Sequence, residues 1–215
     1  MRPPTRCRWN FPAPSHWSDD EVVSTGGDLE PDTLLYAYAH GLFPMFVDEA
    51  HTKLGWWSPV ERGIIPLEGF RESRSLRRSR RNFTVTINAD FEGVMHACAT
   101  THETGNWIDD AFTAAYVDLH RMGHAHSVEV WGRDGELVGG LYGVRINRFF
   151  AGESMFHLRT DASKVALAHL VEMMRLDGMT LLDVQWCTDH LSTLGAISIP
   201  RADYLAMLAP AVGLE

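Results

Sequence analysis

Within LLDVQWCTDH, residues 181 to 190, an acid and an amide stand two apart: Asp183 and Gln185, alternating with Leu182, Val184 and Trp186. Successive strand side chains point to opposite faces. A strand here would put Asp183 and Gln185 on one face and the apolar set on the other. The neighbouring stretches VGGLYGV and FFAGESMF are apolar apart from Glu153. A buried acid and amide need hydrogen-bond partners, each other or a substrate. Glu153 is a candidate third catalytic residue, as a polar contact to an ammonium group. Other chemistry is less well supplied. GESMF has Phe156 where a nucleophile elbow needs its second glycine, which argues against serine hydrolysis. His120, His124 and His126 lack a carboxylate or cysteine that would complete a ligand set, and no metal is expected.

A second group could bind rather than react. RESRSLRRSRR, residues 71 to 81, sets six arginines against Glu72, a net +5 in a chain of formal charge −9, which leaves −14 for the remainder. On a helix, Arg74, Arg77, Arg78 and Arg81 share one face at i, i+3, i+4 and i+7, with few acids to neutralise them. Arginine forks match phosphate geometry, so the face is a candidate for a polyanion.

These residues need elements to hold them. MTLLDVQWC reads as a strand. DASKVALAHLVEMMRLDG is an amphipathic helix with Asp161 as N-cap and Gly178 past its end. HSVEVWGRDGELVGGLYGVRINRFFAGESMF reads as successive antiparallel strands with a turn at Arg133-Asp134-Gly135. NFTVTINADFEGVMHACA gives a strand and a helix, and DDAFTAAYVDLHRMG a helix that Gly123 ends. Near the N-terminus, GGDLEPDTLLYAYAHGLFPMF gives a helix capped by Asp32 and stopped at Gly41. The order predicts an α/β (α+β) fold with a mixed sheet, divided into a small N-terminal domain (1–65) and a larger one (66–215).

With 215 residues, 45% hydrophobic and 22% charged, a sizeable core is expected. No apolar run approaches the roughly 18 residues of a membrane span. MRPPTRCRWNFPAP has no apolar stretch of the secretory kind. Cys7, Cys98 and Cys187 are scattered and odd in number, which points to a reducing compartment, the cytoplasm.

The same residues carry a resemblance. GGDLEPDTLLYAYAHGLFPMF, WWSP, SRSLRR, the NWI around Trp107, AYVDLHRMGHAHSVEVW, LVGGLYGV, FFAGESMF, DASKVAL, LDVQ and DHLSTLGAISIPR run collinearly from about Gly26 to Pro210. The chain resembles the leucyl/phenylalanyl-tRNA–protein transferase family. That resemblance implies an acetyltransferase-like (GNAT) larger domain with a largely antiparallel sheet. It implies transfer of Leu or Phe, less readily Met, from aminoacyl-tRNA to the N-terminal Arg or Lys of a protein, marking it for degradation. No cofactor is implied. It also assigns a relay in which Asp183 orients and polarises Gln185, whose carbonyl receives the attacking amine.

The expected amino-acid pocket is lined by Trp107, Leu141, Phe150, Met155, Leu170 and Met174. Arg74, Arg77, Arg78 and Arg81 are expected to hold the tRNA. The chain departs from the family's pattern at Met45 for Trp, Asn106 for Thr, Val184 for Cys, and at Leu170 and Met174 for aromatics. The alternative is an acyl-CoA-dependent N-acyltransferase of the same fold, but HLRTDAS has no glycine with which to cradle a pyrophosphate. A non-catalytic RNA-binding protein is the other.

Overall fold

The computed structural model describes residues 7–48, 50–101 and 108–214. Ten strands are found: β1 (Val22–Thr25), β2 (Phe43–Phe46), β3 (Leu54–Trp57), β4 (Glu61–Ile65), β5 (Thr84–Ile87), β6 (Ala125–Trp131), β7 (Leu137–Ile146), β8 (Phe149–His157), β9 (Leu181–Gln185) and β10 (Ile197–Pro200). The α-helices are α1 (Pro31–Ala39), α2 (Arg74–Ser79), α3 (Phe91–Thr101), α4 (Asp110–Arg121), α5 (Ala162–Leu176), α6 (Asp189–Thr193) and α7 (Arg201–Val212). Helix α1 starts two residues earlier than expected. Glu30 occupies the cap position, Pro31 sits where a missing N–H costs nothing, and Asp32 falls in the first turn.

Strands β1, β3 and β2 form a small antiparallel sheet. The large sheet has seven strands in the order β10-β4-β9-β8-β7-β6-β5. Every neighbouring pair in it is antiparallel except β8 with β9, which the α5 crossover makes parallel. The sheet is therefore mixed and largely antiparallel, as expected. Strand β4, in the sequence division the last piece of the N-terminal unit, lies inside the large sheet next to β9.

The large sheet is packed on both faces. One core holds Tyr38, Phe112, Tyr116, Tyr142, Phe149 and Tyr204, under α1, α3, α4 and α7, and takes in Trp56 of the small sheet. The other lies under α5 and includes Val165, Leu170, Val171, Phe150 and Leu182. Strands buried on both sides read as apolar runs rather than alternations, which is why VGGLYGV and FFAGESMF look as they do.

Two local faults in the ladder shape the sheet around Asp183. Strands β8 and β9 pair only at Phe149–Leu181, Phe150–Leu182 and Ala151–Asp183, then part. On β8 the register against β7 passes from Gly152 to Ser154, which leaves Glu153 unpaired in a bulge. On β9 the register against β4 passes from Asp183 to Gln185 and skips Val184. Bulges bend a strand and re-aim its side chains. Both sit where the two parallel strands diverge.

Among the described residues, no helix is long and apolar enough to cross a membrane, and all three cysteines are free.

Candidate active site

The gap between β8 and β9 opens into a cleft of about 340 Å³. Leu141, Met155, Leu167, Leu170, Leu182 and Val184 give it an apolar lining. Glu153 and Gln185 stand at its polar end, with Thr188 and Leu191 of the α6 region. A second cavity of about 220 Å³ is lined by Phe43, Pro44, Met45 and Trp186. It shares Glu153, Val184, Gln185, Thr188 and Leu191 with the first. The two recesses meet at one carboxyl and one amide.

These two groups are hydrogen-bonded. The Gln185 side-chain amide donates to Glu153 Oε1 at 3.3 Å. The Tyr116 hydroxyl donates to Glu153 Oε2 at 3.1 Å and is itself bonded to the Tyr38 hydroxyl. Burial pushes both phenols well above their ordinary value, so they remain protonated. Burial also pushes the Glu153 carboxyl up to about 8. The Asp183 charge adds to that, while the Tyr38 and Tyr116 hydroxyls and Arg62 oppose it. With its amide nitrogen committed to Glu153, Gln185 keeps its carbonyl oxygen for a donor in the cleft.

Asp183 is fully buried, but its partners differ from those expected. Arg62, equally buried, grips it through two N–H groups, with Nε at 2.8 Å from Oδ1. The Tyr204 hydroxyl donates to Oδ2 at 2.9 Å. Asp183 reaches Gln185 through the backbone, accepting the Gln185 N–H on Oδ1 at 2.9 Å. The relay from carboxylate to side-chain amide is therefore replaced by a clamp on the main chain. The bulge at Val184 and a positive φ of 56° at Gln185 are the cause, because they break the alternation that a regular strand would keep.

Of the six expected pocket residues, Leu141, Met155 and Leu170 line the apolar cleft. Phe150 and Met174 do not. Both are fully buried in the core beneath α5. Trp107 lies outside the described residues, as does Asn106. Sequence reasoning missed Leu167, Leu182 and Val184 in the wall, the second cavity altogether, and the pair Arg62 and Tyr204. Arg62 stands beside Glu61 in the sequence, and nothing there marks it as a buried partner of Asp183. Met45 and Val184, both departures from the family's pattern, line the second cavity.

The arginines form a separate surface. Arg74, Arg77 and Arg78 lie on α2 and Arg81 in the turn after it, all exposed. The expectation that the cluster lacks counter-charges is corrected in part. Arg77 pairs with Glu72, and Arg80 binds both Glu72 and Glu172 of α5. Among the described residues, Arg74, Arg78 and Arg81 have no acidic partner. Beside them a groove of about 440 Å³ between α2 and α5 adds Arg71 and Arg175.

His120 Nδ1 is bonded to the Ala125 carbonyl, and the ring stacks on Phe91. At the start of α5, Asp161 stands in the left-handed region and is paired with Lys164. An acid at this helix start is unfavourable to a pyrophosphate.

The sequence matches a family described as leucyl/phenylalanyl-tRNA protein transferase over residues 64–209, and the N-terminal domain of the same family over residues 27–60. A leucyl/phenylalanyl-tRNA–protein transferase of Pseudoalteromonas atlantica is 48% identical over 209 residues, 94% of this chain and 88% of the relative. Another, from Cereibacter sphaeroides, is 54% identical over 187 residues, 86% of each chain. Among solved structures, FemX has a TM-score of 0.48 and 13% identity, covering 79% of this chain and 66% of its own.

Proposed function

The chain belongs to the leucyl/phenylalanyl-tRNA–protein transferase family, and from that premise we propose how its two cavities divide the reaction. It is an aminoacyltransferase that takes Leu or Phe from aminoacyl-tRNA and joins it to the N-terminal residue of a protein. The apolar cleft receives the aminoacyl side chain. The second cavity receives the acceptor's N-terminal residue, an Arg or Lys. One observation carries this reading: the two recesses share Glu153 and Gln185, so an ester in one and an amine in the other meet at the same polar groups.

The chemistry is ester aminolysis. The acceptor α-amine has a pKa near 8, so about a tenth is neutral at pH 7. Its nitrogen forms a bond to the ester carbonyl carbon, and the bond from that carbon to the ribose oxygen breaks. One proton must travel from nitrogen to the departing oxygen. The Gln185 carbonyl orients the amine by accepting one N–H but is too weak a base to keep a proton. Glu153, raised to about 8 by burial, is matched to the amine and carries the proton across. Asp183 keeps Gln185 in place. The exchange of ester for amide runs downhill without ATP.

Leu, Phe and Met are apolar and unbranched at Cβ. A pocket wall of leucine, methionine and valine distinguishes such side chains by only about 1–3 kcal/mol per methylene or branch, which permits tolerance among the three. Exposed Arg74, Arg77, Arg78 and Arg81 hold the tRNA through its phosphates, irrespective of sequence. The reaction takes place in the cytoplasm, with the supply of charged tRNA.

The test is transfer of labelled leucine or phenylalanine from charged tRNA to peptides that begin with Arg, Lys, Ala or Glu. Transfer to the first two alone is expected. Equal transfer to all four would remove the assignment of the second cavity. Heat on titration with acetyl-CoA would favour the acyl-CoA alternative.

A further inference from the structure

Gln185 has φ of 56°, and the Trp186 N–H donates to the Val184 carbonyl at 2.7 Å. A three-residue turn closed by that bond, with a positive φ at its centre, is a rare and strained conformation. For a residue such as glutamine it persists only when its surroundings over-determine it. We infer that Arg62, Tyr204 and the bare Cα of Gly63 are the positioning residues that impose this turn and so aim Gln185 at the transfer centre. The inference rests on the role proposed for Gln185 in the transfer reaction.

Three elements converge to do it. From β9 itself, Asp183 accepts the Gln185 N–H and fixes the entry to the turn. From β4, Arg62 holds both Asp183 oxygens, and its third arm donates to the Gly41 carbonyl at 3.2 Å. The guanidinium lies between the rings of Phe43 and Tyr204, 4.9 and 4.3 Å from their centroids. From α7, the Tyr204 hydroxyl donates to Asp183 and receives Arg62 Nη2 at 3.3 Å. Both carboxylate oxygens are committed, Oδ1 to Arg62 and the Gln185 N–H, Oδ2 to Arg62 and Tyr204. A buried ion pair of this kind is weak evidence for stability, since apolar residues of similar volume often serve as well. Fixing one backbone conformation is a use that apolar residues could not supply.

Gly63 completes the device from below. It pairs with Gln185 across the ladder, and the chain leaving the turn crosses directly over it. A Cβ at Gly63 would stand 2.5 Å from the Trp186 carbonyl carbon and 2.6 Å from the Cys187 nitrogen. Both are backbone atoms of the turn's exit, so a methyl there can be accommodated only by shifting the turn.

The test uses the full chain and reads kcat and KM for Leu-tRNA and an Arg-starting peptide, with Tm beside them. Gly63→Ala and Tyr204→Phe are made alone and in a Gln185→Ala background. Displacing a catalytic group by about 1 Å can cost about 100-fold, so Gly63→Ala should lower kcat about 10- to 100-fold. Tyr204→Phe, which removes one bond of the clamp, should lower it about 3- to 10-fold. Both KM values should stay within about twofold, and an unchanged Tm with the Gln185→Ala comparison separates a misaimed glutamine from a loss of folded enzyme, which would also lower apparent kcat at constant KM. In the Gln185→Ala background neither change should cost more than about twofold, because groups acting through one residue are not additive. Should Gly63→Ala fail to fold, Tyr204→Phe carries the comparison. Wild-type kcat in both single variants, or full losses repeated without Gln185, would overturn the inference alone. Wild-type kcat in Gln185→Ala would remove the catalytic reading of the glutamine, and the inference with it.

Discussion

Replacing Glu153 with Gln removes a titration without removing much volume, and its consequences can be worked out on both stability and rate. The folded carboxyl is raised from its ordinary 4.5 to about 8, chiefly by burial. Between those values the folded chain binds more protons than the unfolded one, so stability falls as pH rises through the window. It is fully present below about 4.5 and lost as pH passes about 8. A gap of that size corresponds to about 5 kcal/mol at ~1.4 kcal/mol per pH unit. Glu153 is only half-buried by surface exposure, and water at its open side cuts the effect to about 2 kcal/mol. The wild-type protein should therefore lose about 2 kcal/mol relative to Glu153→Gln between pH 5 and 9, or about 4–8 °C in Tm.

The rate has its own signature. Below pH 8, log kcat/KM for the peptide should fall with slope near 2 in the wild type, one proton on the amine and one on Glu153. In Glu153→Gln the slope should be near 1. Thermal melts and initial rates across pH 5–9 supply both readings. A constant Tm difference would refute the buried, neutral-leaning carboxyl. Equal slopes would refute its part in proton transfer.

Met155→Ala widens the apolar cleft and should raise the Phe-to-Leu ratio of kcat/KM about 5- to 20-fold, in line with about 1–2 kcal/mol, as measured by competition between the two charged tRNAs. Met174→Ala, by contrast, should cost about 2–5 kcal/mol of stability in denaturant melts and leave that ratio unchanged, because Met174 belongs to the core. The triple change Arg74→Ala, Arg78→Ala and Arg81→Ala should weaken tRNA binding and reduce the slope of log Kd against log salt by about 2 to 3. Its kcat at saturating tRNA should match wild type, and Leu and Phe tRNAs should be affected alike. Asp183→Asn leaves Arg62 buried and unpaired and should destabilise the chain by about 3–5 kcal/mol, read from the urea midpoint.

Much of this fold is written in patterns that local physics can read. The α5 helix begins after Asp161 and ends before Gly178 as periodicity requires, although the Asp161 side chain makes no capping bond. The β6–β7 turn falls at the Asp-Gly pair. What escaped is non-local. Arg62 and Tyr204 meet Asp183 from positions 121 and 21 residues away in sequence, and no spacing rule links them. Asp183 and Gln185 are bonded to each other, but through the Gln185 N–H; alternation gave the wrong geometry, since a bulge and a left-handed residue intervene. Phe150 and Met174 have the composition of a pocket wall. Whether an apolar side chain faces a cavity or a neighbour depends on where β8 and β9 part, and that is set by tertiary packing. Arg80 looked unpaired because Glu172 lies on a helix 92 residues further along.

The division of the two cavities at Glu153 and Gln185 is tested most directly by the bound position of a phenylalanyl-adenosine amide, which cannot transfer its aminoacyl group. Its crystal complex with the full chain should place the phenyl ring against Met155, Leu167 and Leu170, with the carbonyl carbon within about 3.5 Å of the Gln185 side chain. The second cavity should stay open to an incoming amino terminus. A ring seated instead among Phe43, Met45 and Trp186, or an analogue held only on the arginine surface, would contradict the account.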